Sequence, residues 1–298
     1  MEVKMLELQN DLRERISHRN QYIPVTTCVD HFDDYFNRTW ECHWHEEVEF
    51  SVVLKGSVEY IIFSSEKNTT TVTLHHGEGI YVPSGKLHSV RALQEGTILA
   101  GLVFPISFFE LTIFDNFYFN NISKVFDSHF PFIYLNTEES IDISITESII
   151  EICGLTGTET GFELYCIELV SRIWRLLTSK MNHLTEKTMF CEESIQTQYM
   201  KAMLTFIHSN YGKCITVEEI AKHSGISRTE CFRCFKKFLK KTPMEYTTSY
   251  RLSMATMLLT STSRTIKDIS SSCGFSTPEY FGKVFKKYLG TTPGQYRK

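Results

Sequence analysis

Between residues 25 and 104 the apolar positions come in short runs, several of them alternating with serine or threonine. Residues 49–54 and 57–63 flank Lys55-Gly56 and read as the two strands of a hairpin, while residues 69–74 alternate threonine with valine. Residues 80–83 and 97–104 are further apolar runs. Short strands spaced by glycine turns predict a small barrel or jelly roll. From residue 105 to 190 the period lengthens. Residues 147–155 and 163–181 carry apolar side chains three and four apart, including Leu164, Ile167, Leu169, Val170, Ile173, Trp174 and Leu177, the stripe of amphipathic helices. Such a stripe serves either packing on the chain's own barrel or pairing of two subunits. Residues 180–194 are polar without an apolar period and read as a linker. The longest apolar run, residues 96–114, would barely span a bilayer and contains Pro105 and Glu110, so it reads as a buried strand followed by a helix.

The last hundred residues repeat themselves. Glu219-Ile220-Ala221-Lys222-His223-Ser224-Gly225-Ile226-Ser227 aligns with Asp268-Ile269-Ser270-Ser271-Ser272-Cys273-Gly274-Phe275-Ser276. Further on, Lys236-Lys237-Phe238-Leu239 and Thr242-Pro243 align with Lys286-Lys287-Tyr288-Leu289 and Thr292-Pro293. Two units are too few for a solenoid, so the pattern predicts two copies of one small helical module. Thr216-x-x-Glu219 and Thr265-x-x-Asp268 start a short helix in each copy, and Gly225 and Gly274 supply the tight turn that follows. Ser227-x-x-Glu230 and Ser276-x-x-Glu279 then cap second helices over about 228–238 and 277–288, with Pro278 tolerated in a first turn. At 100° per residue, Cys231, Cys234, Phe235 and Phe238 share one face of the first such helix, and Phe281, Val284, Phe285 and Tyr288 one face of the other. The opposite faces carry Thr229, Arg233 and Lys236, and Glu279, Lys283 and Lys286. A helix-turn-helix that buries one face and shows a basic one has the shape that enters a major groove.

Charge sharpens that expectation. Residues 1–194 hold 14 Lys and Arg against 29 Asp and Glu, a balance of −15, whereas residues 195–298 hold 17 against 6, a balance of +11. The mild net charge of −4 therefore conceals an asymmetry that fits either a nucleic-acid-binding module joined to an acidic partner domain or a merely solvated basic surface. A hydrophobic content of 42% with 22% charged residues excludes a largely disordered chain. The first residues mix acids into every apolar stretch and lack the pattern of a secretory signal, and nine cysteines make an odd count. Reduced thiols and a cytoplasmic location are expected. Cys231 and Cys234 form a C-x-x-C, but on the apolar face of their helix they read as core.

The segment from Ile215 to Arg297 resembles the DNA-binding domain of the AraC/XylS family of transcription regulators. The matching pieces are Ala221-x-x-x-Gly225-x-Ser227, Arg233-x-Phe235-Lys236-Lys237, Arg251-Leu252-x-x-Ala255, Ile269-x-x-x-Cys273-Gly274-Phe275, Phe281-x-x-x-Phe285-Lys286-Lys287 and Gly290-x-x-Pro293-x-x-Tyr296-Arg297. The resemblance implies double-stranded DNA as partner, with the Arg-Leu-x-x-Ala segment connecting two helix-turn-helix units set for adjacent major-groove segments. Arg233 and Lys283 are the candidate base contacts. Lys236, Lys237, Lys286 and Lys287 are candidate phosphate contacts, with Thr229 and Glu279 beside them.

The barrel carries chemistry of its own in His43-x-His45-x-x-x-Glu49-x6-Gly56 and Gly77-x5-Pro83-x-Gly85-x-x-His88. Alternate strand residues share a face, so His43, His45 and Glu49 would look into the barrel together. The two segments resemble those of cupins, in which the matching histidines and glutamate bind a divalent metal. Three imidazoles and a carboxylate suit Zn²⁺, Mn²⁺, Fe²⁺ or Ni²⁺, or else an effector pocket without metal. The glycine common before the first segment and the asparagine common at Ala92 are missing. On that ground no cofactor is expected and the metal-free pocket is preferred. His75 and His76, just before Gly77, read as surface residues.

The fold expected is thus an α+β multidomain chain: a cupin-like jelly-roll barrel followed by helices, then an all-α domain with two helix-turn-helix units. The divisions are 1–115 for the sensor barrel, 116–194 for a helical dimerisation region and linker, and 195–298 for the DNA-binding domain. The function expected is a ligand-responsive, sequence-specific, homodimeric transcription regulator that binds a small-molecule effector in its N-terminal domain and no membrane. The alternative is a cupin-type metal-dependent enzyme with an accessory basic domain, which leaves the tandem helix-turn-helix units without a purpose.

Overall fold

Nine strands carry most of the first half of the chain: β1 (Thr26–His31), β2 (Thr39–His43), β3 (Val48–Lys55), β4 (Ser57–Ser65), β5 (Asn68–His75), β6 (Gly79–Val82), β7 (His88–Ala92), β8 (Ile98–Phe104) and β9 (Ile133–Leu135). They form a five-stranded sheet in the order β1-β8-β3-β6-β9 and a four-stranded sheet in the order β2-β7-β4-β5, antiparallel throughout. This is the jelly-roll arrangement. The computed structural model describes residues 4–9, 11–17, 23–65, 68–109, 130–183, 195–239 and 241–297.

The hairpin expected across Lys55-Gly56 does not form. β3 pairs with β6 and β8, β4 pairs with β5 and β7, and Gly56, at φ +81°, turns the chain from one sheet to the other. A single residue between the strands is too short for a two-residue hairpin turn. β3 is also buried on both faces from Val48 to Val53, so it needs cover that a hairpin partner in its own sheet would not give. β9 was not expected either, because three residues are too few to show a period of two. It adds an edge to β6. Beyond β8, Ile106–Phe109 is one 3-10 turn, and the rest of the helix expected there lies outside the described residues. Much of the expected linker, and the division at residue 115, also lie outside them.

Helix α1 (Ser140–Cys153) packs across β1, β3, β8 and β9, and α2 (Phe162–His183) packs on α1. Ile145, Ile149 and Ile152 of α1 and Leu169, Val170, Ile173, Trp174 and Leu177 of α2 join Phe50, Tyr81, Leu102 and Phe104 of the sheet in one core. Phe104 and Trp174 meet edge to face, their rings 6.1 Å apart. The helical stripe therefore covers the chain's own sheet, while Leu164 (73% exposed) and Ile167 (45%) remain outside that core. Among the described residues no helix is long and apolar enough to cross a membrane.

The C-terminal hundred residues fold as α3 (Ile195–Asn210), α4 (Val217–His223), α5 (Arg228–Leu239), α6 (Pro243–Ser261), α7 (Ile266–Ser272), α8 (Pro278–Leu289) and α9 (Pro293–Tyr296). Thr216 and Glu219 close a reciprocal capping box at the start of α4, and Thr242 with Glu245 does the same for α6. The chain divides into two compact units. One comprises Glu14–Asp33 with Thr39–Ser194, and the other comprises Met1–Arg13, Asp34–Arg38 and Ile195–Lys298.

Candidate functional site

The sandwich gathers His43, His45, Glu49 and His88 so that one donor atom from each lies within 4.8 Å of the others. All four are buried. Alternation along one strand is not what brings them together. His43 ends β2 in one sheet, His45 lies in the following loop, and Glu49 belongs to β3 in the other sheet. His88 opens β7 directly opposite His43, and their rings are 4.2 Å apart. The crossing between sheets thus sets two histidines from adjacent strands against a carboxylate from the facing sheet.

Each imidazole is held from behind. Nδ1 of His43 lies 2.8 Å from the Glu41 carbonyl, Nδ1 of His45 lies 2.9 Å from the Glu47 carbonyl, and Nδ1 of His88 lies 2.8 Å from the Lys86 carbonyl. A carbonyl only accepts, so each Nδ1 carries the proton and, in the neutral ring, Nε2 keeps a lone pair directed inward. Glu49 is oriented as firmly, since its Oε1 accepts from Ser51 Oγ (2.7 Å) and from Tyr60 OH (3.0 Å). Its Oε2 faces His45 Nε2 at 3.3 Å and His88 Nε2 at 3.0 Å. Nε2 of His88 is fully buried, and the Glu49 carboxylate is the group it faces. Inward lone pairs opposite a carboxylate are acceptors facing acceptors, an arrangement that calls for a cation or for protons.

The electrostatics are strongly coupled. Burial pushes the His43 imidazolium well down, helped by His88 and His45. Burial also opposes charge on His45, but the hydrogen bond and charge of Glu49 outweigh it and raise that histidine. Against its own burial, Glu49 is held well below the usual carboxylate range by His88 and His45. A fifth group, invisible to the sequence reading, is Glu14. Its Oε2 lies 3.6 Å from His43 Nε2, and burial raises its carboxyl to about 7. No motif spans the interval from Glu14 to His43, so nothing in the sequence flagged it. Ser51 and Tyr60 were missed too, although a serine two positions past Glu49 inside an apolar strand is a readable signal. His75 and His76 are exposed.

In the helical unit, α5 buries Cys231, Cys234, Phe235 and Phe238 and exposes Thr229, Arg233 and Lys236 on one stripe. Lys237, at the edge of that stripe, is half-buried, with Nζ 4.9 Å over the Phe238 ring. Arg233 Nη2 donates to Glu230 Oε1 at 2.7 Å, and Glu230 N donates to Ser227 Oγ at 3.1 Å. Burial pushes the Cys231 and Cys234 thiols up to about 11 and about 12. Among the described residues neither belongs to a group of three metal donors. Helix α8 buries Phe281 and Phe285 and exposes Glu279, Lys283, Lys286 and Lys287. Two details of α8 depart from expectation. Tyr288, expected on the buried face, is 39% exposed where the helix runs out at Gly290. The cap is Thr277, whose side chain accepts from Tyr280 N, rather than Ser276, because Pro278 takes the first helical position. Glu279 is therefore not at the third position and closes no capping box. Arg228, paired with Glu218 at 2.8 Å, and Tyr280, 53% exposed, flank the two stripes and were not singled out from the sequence.

Residues 220–298 match the helix-turn-helix domain family, and residues 38–103 match the cupin domain family. The chain is 27% identical over 297 residues to the uncharacterized HTH-type transcriptional regulator YdeC of Bacillus subtilis, covering 99% of each chain. It is 26% identical to the melibiose operon regulatory protein of Escherichia coli K12, covering 86% of this chain and 83% of that one. Over 92 residues it is 42% identical to the lactose operon transcription activator of Staphylococcus xylosus, covering 31% of this chain and 33% of that one. Among solved structures, ToxT from Vibrio cholerae aligns over 92% of this chain and 98% of its own at 14% identity, with a TM-score of 0.42. These relatives are regulators of transcription, not enzymes.

Proposed function

We propose that this chain, a DNA-binding transcription regulator of the AraC/XylS family with an N-terminal cupin domain, reads DNA with α5 and α8 and answers to a small molecule bound at His43, His45, Glu49 and His88. One observation carries the DNA reading. Two capped helices, one in each half of the C-terminal repeat, expose the corresponding stripes Thr229/Arg233/Lys236 and Glu279/Lys283/Lys286. Arg233 is suited to a guanine edge because its guanidinium can pair bidentately, and Lys283 takes the matching place on α8. Lys236, Lys237, Lys286 and Lys287 are suited to phosphate. Glu279, free of a capping box, is suited to accept from a cytosine amine. Arg233→Ala, measured against a set of operator variants, should cost about 1–3 kcal/mol and relax the preference at one base position. An equal loss on every sequence would make it a phosphate contact.

The donor set supports a divalent ion in the cupin domain, although the sequence favoured a metal-free pocket. Carbonyl-held Nδ1 atoms and Nε2 lone pairs turned toward the Glu49 carboxylate form the outer and inner arrangement that metal-binding imidazoles adopt. His43, His45, His88 and Glu49 Oε2 would hold the ion, while Ser51 and Tyr60 fix the Glu49 carboxylate. The ion would supply an electrophilic centre to which an oxygen of the effector binds. We take 1–115 as the sensor domain, 116–194 as the dimerisation region with linker, and 195–298 as the DNA-binding domain. Leu164 and Ile167, exposed on α2 outside the sandwich core, are the apolar surface on which two copies would pair. An effector alters DNA affinity only by its differential affinity for the two states of the regulator, typically about 1–3 kcal/mol. We infer a cytoplasmic location, since a chain this rich in thiols and with an odd number of cysteines suits a reducing compartment.

A further inference from the structure

We propose that Glu14 is a built-in ligand of the cupin metal, a tethered carboxylate whose place is taken by the carboxylate of a small anionic effector. This rests on the divalent ion proposed above. His43, His45, Glu49 and His88 come from the sandwich and its adjoining loop, and none has a side chain more than 5% exposed. Glu14 comes from the segment that precedes the sandwich in sequence, and its side chain is 18% exposed. It is the most exposed of the five side chains, with Oε2 3.6 Å from His43 Nε2. Its backbone N donates to the Trp44 carbonyl at 2.8 Å, which sets the carboxylate beside the loop between the two motif histidines.

A second carboxylate opposite inward lone pairs adds another acceptor to a cluster that a cation would satisfy. Nε2 of His88, fully buried, faces the Glu49 carboxylate at 3.0 Å and has no hydrogen to give it in the neutral ring, which suits a cation at that position. Three imidazoles and two carboxylates give five protein ligands, more than a structural tetrahedral site needs and compatible with Mn²⁺, Fe²⁺, Co²⁺ or Ni²⁺. Of the five, Glu14 is the most exposed, which makes it the ligand an entering group would displace. A ligand entering the site can replace it with a like group at little electrostatic cost. A tethered carboxylate competes at an effective concentration in the millimolar range, which makes free carboxylates weak ligands until they offer contacts of their own.

The test uses the full chain loaded with Co²⁺, read by its visible absorption and by metal content, with acetate as the probe. Glu14→Gln should keep one Co²⁺ per chain, shift the visible bands, and lower the acetate concentration for half-saturation by about tenfold or more. Glu14→Asp, one methylene short, should give the same open-site spectrum and guards against a folding defect in the first variant. Glu46→Gln, which removes an exposed charge nearby, should behave as the unaltered chain. Identical bands and acetate curves in all four proteins would overturn the role of Glu14 while leaving the metal site intact. Failure of the unaltered chain to take up Co²⁺ stoichiometrically would overturn both.

Discussion

His43, His45 and His88 are each fixed from behind by a backbone carbonyl two residues away, so ring orientation is set by local chain geometry and not by a bound ligand. A site so arranged would need no rearrangement to take up a cation. Protein made without a histidine tag should carry close to one divalent ion per chain by elemental analysis, and His88→Ala should lower that content to background. A chain with no ion at stoichiometric level would return the tetrad to a polar pocket. His208 offers a second residue-scale prediction, in the other unit. It stacks on Tyr250 at 3.8 Å, its Nε2 lies 2.8 Å from Tyr246 OH, and burial pushes its imidazole down to about 3. Unfolded, the same ring takes up a proton near 6.5, so below that pH the unfolded chain binds the extra proton. The stability it protects is whole above about 6.5 and is lost as pH falls toward 3, by roughly 4–5 kcal/mol at full extent. Urea unfolding of the helical unit should weaken by about 2–3 kcal/mol between pH 7 and 4.5, and His208→Phe should flatten that dependence. An unchanged slope in the variant would assign the acid sensitivity elsewhere.

At the scale of elements the two helix-turn-helix units look alike in sequence but are not equally supported. Gly225 and Gly274 both adopt positive φ, +67° and +74°. A side chain at 225 would meet open space, whereas a Cβ at 274 would come within 2.2 Å of the Tyr211 carbonyl and 3.0 Å of the Arg251 guanidinium. That guanidinium donates to the Tyr211 carbonyl at 2.8 Å and to the Lys213 carbonyl at 2.6 Å, tying α6 to the loop after α3. Gly225→Ala should therefore cost only the left-handed strain of about 1–2 kcal/mol, and Gly274→Ala several kcal/mol, measured by thermal or urea unfolding. Equal losses would mean that the crowding around Gly274 relaxes freely. Helices were readable because caps and a 3.6 period are written locally: Thr216 and Thr265 cap as the sequence reading placed them. Strand pairing was less readable, since nothing within residues 48–65 states that β3 and β4 belong to different sheets. The tetrad was legible by spacing, although for the wrong reason, because convergence came from a sheet crossing and not from alternation. Glu14 was not legible at all, since its place depends on a tertiary contact with no sequence period.

For the molecule as a whole, the division of charge sets how the chain meets DNA. The positive balance of +11 in residues 195–298 concentrates near α5 and α8, so binding should weaken steeply with salt through counterion release. If Lys236 contacts phosphate as proposed, Lys236→Ala should reduce the slope of log K against log salt by about 1 without changing base preference. Helix α6 joins the two recognition modules through buried Tyr246, Leu252, Ala255 and Leu259, which favours a fixed spacing between α5 and α8 over independent tethering. Recognition helices set for successive major-groove segments address positions about 34 Å apart, so one chain should protect about two helical turns. Neutralising α8 alone with Lys283→Ala and Lys286→Ala should then erase protection at one end of the footprint and keep the other. Arg233→Ala with Lys236→Ala should do the reverse. Protection of a single turn by the unaltered chain, or a footprint that fades uniformly in both variants, would show that the two modules do not read adjacent grooves.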